Sequence, residues 1–241
     1  MTSNLKSLGR KLRAPFNRAW SLRRLREYHS QSRTLEETVG WALNFGGNGY
    51  FRVKTLQQHV EIMALAQAVA AIEPHRVIEI GTASGGTLLI WSAITEQLVV
   101  SCDLQDMHHQ GQLFEQFPPP GSQCRAKLLS GDSHSNECSK RVAAALEGEP
   151  ADFLFIDGDH TQPGVRADFL DYRDFVRPGG LIAFHDILEN QPIATNQVYE
   201  LWRRLKEPLN GKEFIDNPEQ CGFGIGVIQV PQEGRWPKIE F

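Results

Sequence analysis

Residues 76–86 read RVIEIGTASGG. The apolar run Val77-Ile78-Glu79-Ile80 stops at Gly81, small residues fill the next positions, and an apolar helical segment begins near Thr87. This succession predicts a buried parallel strand, a glycine-rich turn and a helix N-terminus. Such a turn lets backbone N–H groups approach a ligand closely, because glycine has no Cβ to hold the ligand off. The chain beyond it reads as the remainder of one sheet whose loops complete that ligand site.

Working outward, Thr55-Leu-Gln-Gln58 has the spacing of a capping box and predicts a helix with Ile62, Leu65, Val69 and Ile72 on one face, ended by Pro74. Thr34-Leu-Glu-Glu37 predicts a second box and a short helix through Leu43. The glycine-rich loop between them, residues 44–51, lacks the Gly-Lys-Ser/Thr ending of a phosphate-binding loop. It reads either as a linker or as a lid with Trp41, Phe45, Tyr50 and Phe51 as substrate contacts. Downstream, strands are predicted at residues 98–103, 126–129, 152–157 and 180–186, each preceded by a helix or a polar stretch. A helix near 194–206 leads to a closing antiparallel pair at 213–216 and 222–230. Strands alternating with helices predict a parallel sheet wound on both faces.

In such sheets ligands bind beyond the carboxyl ends of the strands. The predicted ends carry Glu79 and Gly81, then Asp103, Asp132, Asp157, and the pair His185-Asp186. A structural sheet has no reason to load one edge with carboxylates, which disfavour each other's ionised form. Asp103 follows Gly81 by 22 residues, the offset at which an acid accepts hydrogen bonds from ribose hydroxyls. The turn Gly81-Thr82-Ala83-Ser84-Gly85-Gly86 lacks the middle glycine that admits a pyrophosphate. A negative Glu79 beside it is expected to repel phosphate and attract a sulfonium. Those two features favour S-adenosylmethionine (SAM) over a dinucleotide.

Glu79-Ile-Gly-Thr-Ala-Ser-Gly85 resembles motif I of class I SAM-dependent methyltransferases, and residues 155–187, FIDGDHTQPGVRADFLDYRDFVRPGGLIAFHDI, resemble the family that contains metal-dependent sugar O-methyltransferases and cephalosporin hydroxylase-like proteins. The resemblance covers about residues 55–230. It implies a doubly wound, mostly parallel seven-stranded Rossmann-like sheet with an antiparallel C-terminal strand, preceded by an N-terminal helical arm. It further implies that Glu79, Gly81, Thr82, Ala83, Ser84 and Gly85 hold the methionine part of SAM. Asp103 and Leu104 fall on the ribose, and Asp132 with Ser133 on the adenine edge. Asp157 and His160 would be catalytic, His160 as general base. Asp157, His185 and Asp186 would hold Mg²⁺ or another divalent metal. His185 departs from that pattern, standing where a second carboxylate is expected; imidazole suits softer transition metals, and Asp159 is a replacement candidate. His108, His109 and His134 carry less weight, the first two as solvated residues and the last as pocket lining.

At 241 residues the chain suits one α/β domain (55–241) behind an arm and lid segment (1–54). No apolar run approaches the roughly 18 residues of a bilayer-spanning helix, and no secretory signal is expected. The expected location is the cytoplasm. Cys102, Cys124, Cys138 and Cys221 form no CxxC pair, so reduced thiols are expected rather than zinc. Residues 1–33 hold nine Lys/Arg against one acid, a net of +8, which leaves −12 for the remainder of a chain of net charge −4. In this arm Leu5, Leu8, Leu12, Phe16 and Trp20 recur every three or four residues, and Pro15 is expected to kink a helix there. Such an arm suits peripheral contact with an anionic membrane through residues 1–30, or packing on its own domain or a second subunit of a homo-oligomer.

The leading functional expectation is transfer of a methyl group to a hydroxyl of a small molecule or glycan. The alternative is a non-catalytic SAM-binding or scaffold protein whose arm is the working part. Nucleic acid is not an expected partner: the body is acidic and there is no Asn/Asp-Pro-Pro-Tyr/Phe motif.

Overall fold

The computed structural model describes residues 2–240, with side chains from residue 13 onward. In chain order it comprises α1 (Thr2–Tyr28), α2 (Leu35–Asn44), a 3-10 turn (Gly49–Phe51), α3 (His59–Ala70), β1 (Arg76–Ile80), α4 (Gly86–Ile94), β2 (Leu98–Asp103), α5 (His108–Phe114) and β3 (Arg125–Ser130). There follow α6 (Asn136–Leu146), β4 (Ala151–Ile156), α7 (Gln162–Tyr172), β5 (Val176–His185), α8 (Val198–Lys206), β6 (Lys212–Phe214) and β7 (Ile225–Gln229).

The seven strands form one sheet in the order β3-β2-β1-β4-β5-β7-β6, with β7 antiparallel to both neighbours and the first five parallel. This is the doubly wound, seven-stranded sheet that the sequence predicts. The chain walks outward from β1 to β3, then returns to add β4 on the other side of β1. That reversal opens a crevice at the carboxyl ends of β1 and β4, where ligands bind in such folds.

The sheet is buried on both faces because successive residues of a strand point to opposite sides. Val77, Phe153 and Phe155 join one core with Ile62, Leu65 and Trp91. Ile78, Leu154 and Ile156 join the other, with Phe169, Phe184 and Trp202.

Several local expectations hold and several do not. The box at Thr34 forms, with Glu37 N–H donating to Thr34 Oγ1 at 3.2 Å and Thr34 N–H to Glu37 Oε2 at 2.8 Å. The box at Thr55 does not form, and α3 starts at His59 behind Gln58, which makes no side-chain cap bond. Thr55 sits instead in an extended segment, its hydroxyl accepting the Gln57 N–H. A short helix, α5, forms within the polar stretch after β2, where Leu113 and Phe114 are fully buried.

Helix α1 continues through Pro15. Its C-terminal part packs on the domain, with Ser21, Leu25 and Tyr28 buried and Ser21 Oγ donating to the Phe51 carbonyl. Leu5, Leu8 and Leu12 lie outside the described side chains. Among the described residues no helix is long and apolar enough to cross a membrane.

Candidate active site

The turn after β1 is locked from both sides. Gly81 has φ +100°, and a Cβ there would collide with the Asp157 carbonyl, so only glycine lets β1 and β4 end this close together. Asp103, at the end of β2, accepts the Ala83 N–H at 2.6 Å and the Gln105 N–H at 2.7 Å. Thr82 is buried against Ser101, their hydroxyl oxygens 2.6 Å apart.

Two cavities open on either side of this turn. The first, about 540 Å³, is lined by Gly81, Ala83, Asp103, Leu104, Asp132, Ser133 and Asp159, among others. The second, about 570 Å³, is lined by Thr82, Ser84, His160, His185, Asp186 and Asn196, among others. Gly81, Ala83 and Asp157 belong to the walls of both. Eight of the ten residues expected at the cofactor therefore face one cavity or the other.

Glu79 and Gly85 do not. Glu79 is fully buried in β1, where the Trp91 indole N–H donates to it at 3.0 Å and Ser101 Oγ also bonds its carboxyl. Burial pushes its pKa up to about 8, despite hydrogen bonds from Ser101, Thr87 and Trp91. The carboxyl braces the turn from behind and lines neither cavity, so the expected charge beside the ligand is corrected to an internal strut. Gly85 lies against the Phe114 ring, on the far side of the turn.

The second cavity holds the chemistry. Asp157, following β4, takes the His185 Nδ1 at 3.0 Å and the His160 Nε2 at 3.2 Å, both on Oδ1. His160 Nδ1 lies 3.1 Å from Asp186 Oδ2, so its ring bridges two carboxylates. Asp186 has φ +63°, a left-handed conformation that a non-glycine residue adopts at a cost. It is held there by the Asn196 side-chain amide at 2.6 Å and the Phe223 N–H at 3.0 Å.

The four groups set one another's charge. Burial alone would lower the His160 pKa, but the bonds to Asp157 and Asp186 outweigh it and raise it to about 10. Burial would likewise lower His185, and the charge of Asp157 raises it. Burial would raise Asp157, yet the charge of His185 and the bonds from both histidines hold it below the usual carboxylate range. Asp186 is depressed in the same way, chiefly by His160. His185 Nε2 and Asn196 Oδ1 are buried without a hydrogen-bond partner, in the wall of the same cavity. Buried polar atoms are rarely left so, and these two are available to a bound molecule.

The donor set does not fit a hard divalent cation. Each oxygen of Asp157 and Asp186 already receives an N–H, from His160, His185, Gln57, Asn196 or Phe223. Among the described residues, no group of three or more His, Cys, Asp or Glu is arranged to hold an ion. Mg²⁺ prefers near-octahedral oxygen ligation, whereas here imidazoles occupy the space between the carboxylates. Asp157, His185 and Asp186 are thus brought together as expected, but as a histidine-bridged acid pair. Asp159 does not join them, because it caps the following loop by accepting the Thr161 N–H at 2.9 Å.

The aromatic lid is also corrected. Phe45 and Phe51 are buried in the core, and Trp41 packs under the Arg24 guanidinium at 4.3 Å. Tyr50 stacks near His109, with ring centroids 4.6 Å apart. His134 lines the first cavity, its Nε2 3.3 Å from the buried Asp168. The segment that does reach the second cavity is the strap Arg52-Val53-Lys54-Thr55-Leu56-Gln57, whose residues alternate exposed and buried throughout. The local signal there was the capping-box spacing of Thr55 and Gln58, and it pointed to a helix start rather than to an extended strap. Asn196, in the loop before α8, had no such signal.

Residues 78–187 match a family model described as a methyltransferase domain. Among solved structures, MycE methyltransferase from the mycinamycin biosynthetic pathway, in complex with Mg and SAH, is 20% identical with a TM-score of 0.57. That alignment covers 86% of this chain and 58% of MycE, so the chain spans little more than half of its length. The O-methyltransferase TomG from Streptomyces achromogenes, involved in tomaymycin synthesis and in complex with SAM, is 13% identical with a TM-score of 0.58, covering 83% of this chain and 91% of TomG. An O-methyltransferase from Bacillus cereus in complex with SAH is 18% identical with a TM-score of 0.55, covering 83% and 91%. Among curated proteins no relative matches. The chain shares the fold of these solved methyltransferases over more than four fifths of its length.

Proposed function

We propose, for a chain whose residues 78–187 carry a methyltransferase domain, that it transfers a methyl group from SAM to a hydroxyl of a small molecule or glycan. The observation that carries this reading is the shared wall: Gly81, Ala83 and Asp157 line both cavities, so their occupants would lie on either side of one turn. A group-transfer enzyme needs such an arrangement, with donor and acceptor held on either side of one short path.

The residues fit the cofactor, since a close-approach glycine turn adjoins a cavity with acids at its ribose and adenine ends. Asp103, Leu104, Asp132 and Ser133 would hold the adenosine part, and the turn from Gly81 to Ser84 the methionine part. Bound there, the cofactor supplies an electrophilic methyl group on a sulfonium. The acceptor hydroxyl is a poor nucleophile until it loses its proton, and His160, neutral and with Nδ1 released from Asp186 to face that hydroxyl, takes the proton on Nδ1. Asp157 and Asp186 orient the ring and stabilise the imidazolium that results. His185, fixed by Asp157, turns its free Nε2 toward the acceptor. No step is assigned to a metal.

Incubation with methyl-labelled SAM and acceptor extracts tests this reading. Label should appear on a hydroxyl product, and His160→Ala should lose about 10²–10⁴-fold in rate while keeping SAM affinity. Full turnover in that variant would remove His160 from the base role.

A second reading concerns α1. Phe16 is 78% exposed and Trp20 37% exposed, and they lie among Arg13, Arg18 and Arg23. Basic residues interleaved with exposed aromatics suit peripheral contact with an anionic membrane. Liposome flotation of the full chain against its Phe16→Ser/Trp20→Ser variant tests it; equal flotation would exclude these side chains from any membrane contact.

A further inference from the structure

The rim of the second cavity carries positive charge that no carboxylate among the described residues neutralises. Arg52 and Lys54 both line it, and no carboxylate among the described residues lies within ion-pairing distance of either. The carboxylates of the same cavity, Asp157 and Asp186, are each paired with histidine. Beside the cations stand Leu56, 68% exposed, and Ile193, 62% exposed, which are among the few large apolar side chains left open to water.

The strap that carries these groups is not a loose loop. Val53, Thr55 and Gln57 are buried along its inner face. Val53 exchanges two backbone hydrogen bonds with Gly46, at 2.8 and 3.1 Å, and the Lys54 N–H donates to the Ser84 carbonyl at 3.3 Å. Gly86 admits it, because a Cβ there would collide with the backbone of Lys54 and Thr55. Arg52, Lys54 and Leu56 are therefore presented to the cavity from a fixed backbone, directly above the methyl-donor turn.

We infer that the methyl acceptor is an amphiphilic anion, with a phosphate or carboxylate taken by Arg52 and Lys54 and an apolar body laid against Leu56 and Ile193. This rests on the methyltransferase reading and names the acceptor class for that same site. Unpaired cations beside exposed apolar surface at the mouth of a reaction chamber select ligands that combine both features. The anion is held at the rim, so the hydroxyl extends down to His160.

Isothermal titration of the full chain, loaded with SAH, tests the inference with hexyl phosphate, heptanoate and hexyl glucoside as probes. SAH fills the cofactor's own carboxylate position, so the probes report the acceptor side. At least one anion should bind about tenfold more tightly than the glucoside, each exposed ion pair contributing a few-fold. That preference should shrink as salt rises and vanish in Arg52→Ala/Lys54→Ala, and also in Arg52→Gln/Lys54→Gln should the alanine pair fold poorly. Which anion wins distinguishes phosphate from carboxylate. Equal binding of the glucoside, no anion binding, or a preference that survives both double variants would overturn the inference. So would a loss of SAH affinity in the variants, which would assign the cations to the cofactor. If the wild-type chain fails to bind SAH, the methyltransferase reading falls and the acceptor role with it. If SAH binds and no preference appears, only the acceptor class falls.

Discussion

The side-chain amide of Gln57 donates to Oδ2 of Asp157 at 2.9 Å, linking the strap ahead of α3 to the end of β4. Asp157 uses its other oxygen for both histidines, so Gln57 fixes the rotation of the carboxylate on which they pivot. Gln57→Leu should lower turnover by about tenfold and stability by about 1–3 kcal/mol, the cost of leaving a buried charged acceptor short of a donor. Steady-state kinetics with SAM titration should show the loss in kcat rather than in SAM affinity. Unchanged turnover would mean that Asp157 needs no such support.

The pH profile follows from His160. Its pKa is raised to about 10, because Asp157 and Asp186 hold the proton on the ring. An imidazolium cannot accept the acceptor's proton, so activity should climb with slope one in log rate as pH rises, and level off near pH 10. The same profile should persist in EDTA, since the carboxylates are occupied by N–H donors. A plateau already reached at neutral pH, or activity abolished by EDTA, would contradict this arrangement.

Glu79 gives a stability signature independent of turnover. Its carboxyl titrates at about 8 in the fold against an ordinary 4.5, the shift coming first from burial. A folded pKa raised above the unfolded one contributes stability that is fully present below pH 4.5 and is lost as pH rises to about 8. Glu79→Gln carries no such ionisation. Melting curves should therefore show the variant gaining on the wild type steadily across that window and holding a constant difference above it. A difference independent of pH would mean that Glu79 is already ionised.

Glu61, fully buried on α3, organises the acceptor side from a distance. Its carboxylate accepts the Gln220 side-chain amide at 2.6 Å, the Gly224 N–H at 2.9 Å and the Asp216 N–H at 3.2 Å. These bonds hold the segment carrying Gly222 and Phe223, both in the wall of the second cavity. Glu61→Ala should cost about 2–4 kcal/mol by orphaning three donors. In the folded fraction it should raise the acceptor KM more than the SAM KM. Equal effects on both would place the segment's influence elsewhere.

The core of the fold was legible because β1, β2, β4 and β5 are apolar runs, each ending at a small or acidic residue. The acid pair was legible for the same reason: Asp157 and Asp186 each follow directly on a strand of one parallel sheet, which brings their carboxylates together. The direction of Glu79 was not legible. In a strand buried on both faces the alternation of polar and apolar residues disappears, so nothing indicates that position 79 faces Trp91 rather than the ligand. The strap was missed because its anchors are long-range, Gln57 to Asp157 and Lys54 to Ser84, and local spacing offered a capping box instead. Helix α5 was not legible in the polar stretch after β2, because it rests on tertiary burial of Leu113 and Phe114 in a local sequence rich in His and Gln.

The central claim is that the two cavities hold donor and acceptor, with His160 taking the acceptor's proton. The most direct measurement is single-turnover transfer from methyl-labelled SAM, comparing the wild type with His160→Ala and with SAM affinity measured in parallel on both proteins. The account predicts label on a hydroxyl product with the wild type, a loss of about 10²–10⁴-fold in the variant, and equal SAM affinities. Transfer at the wild-type rate by His160→Ala, or SAM bound with no methyl ever leaving it across an acceptor screen, would contradict it.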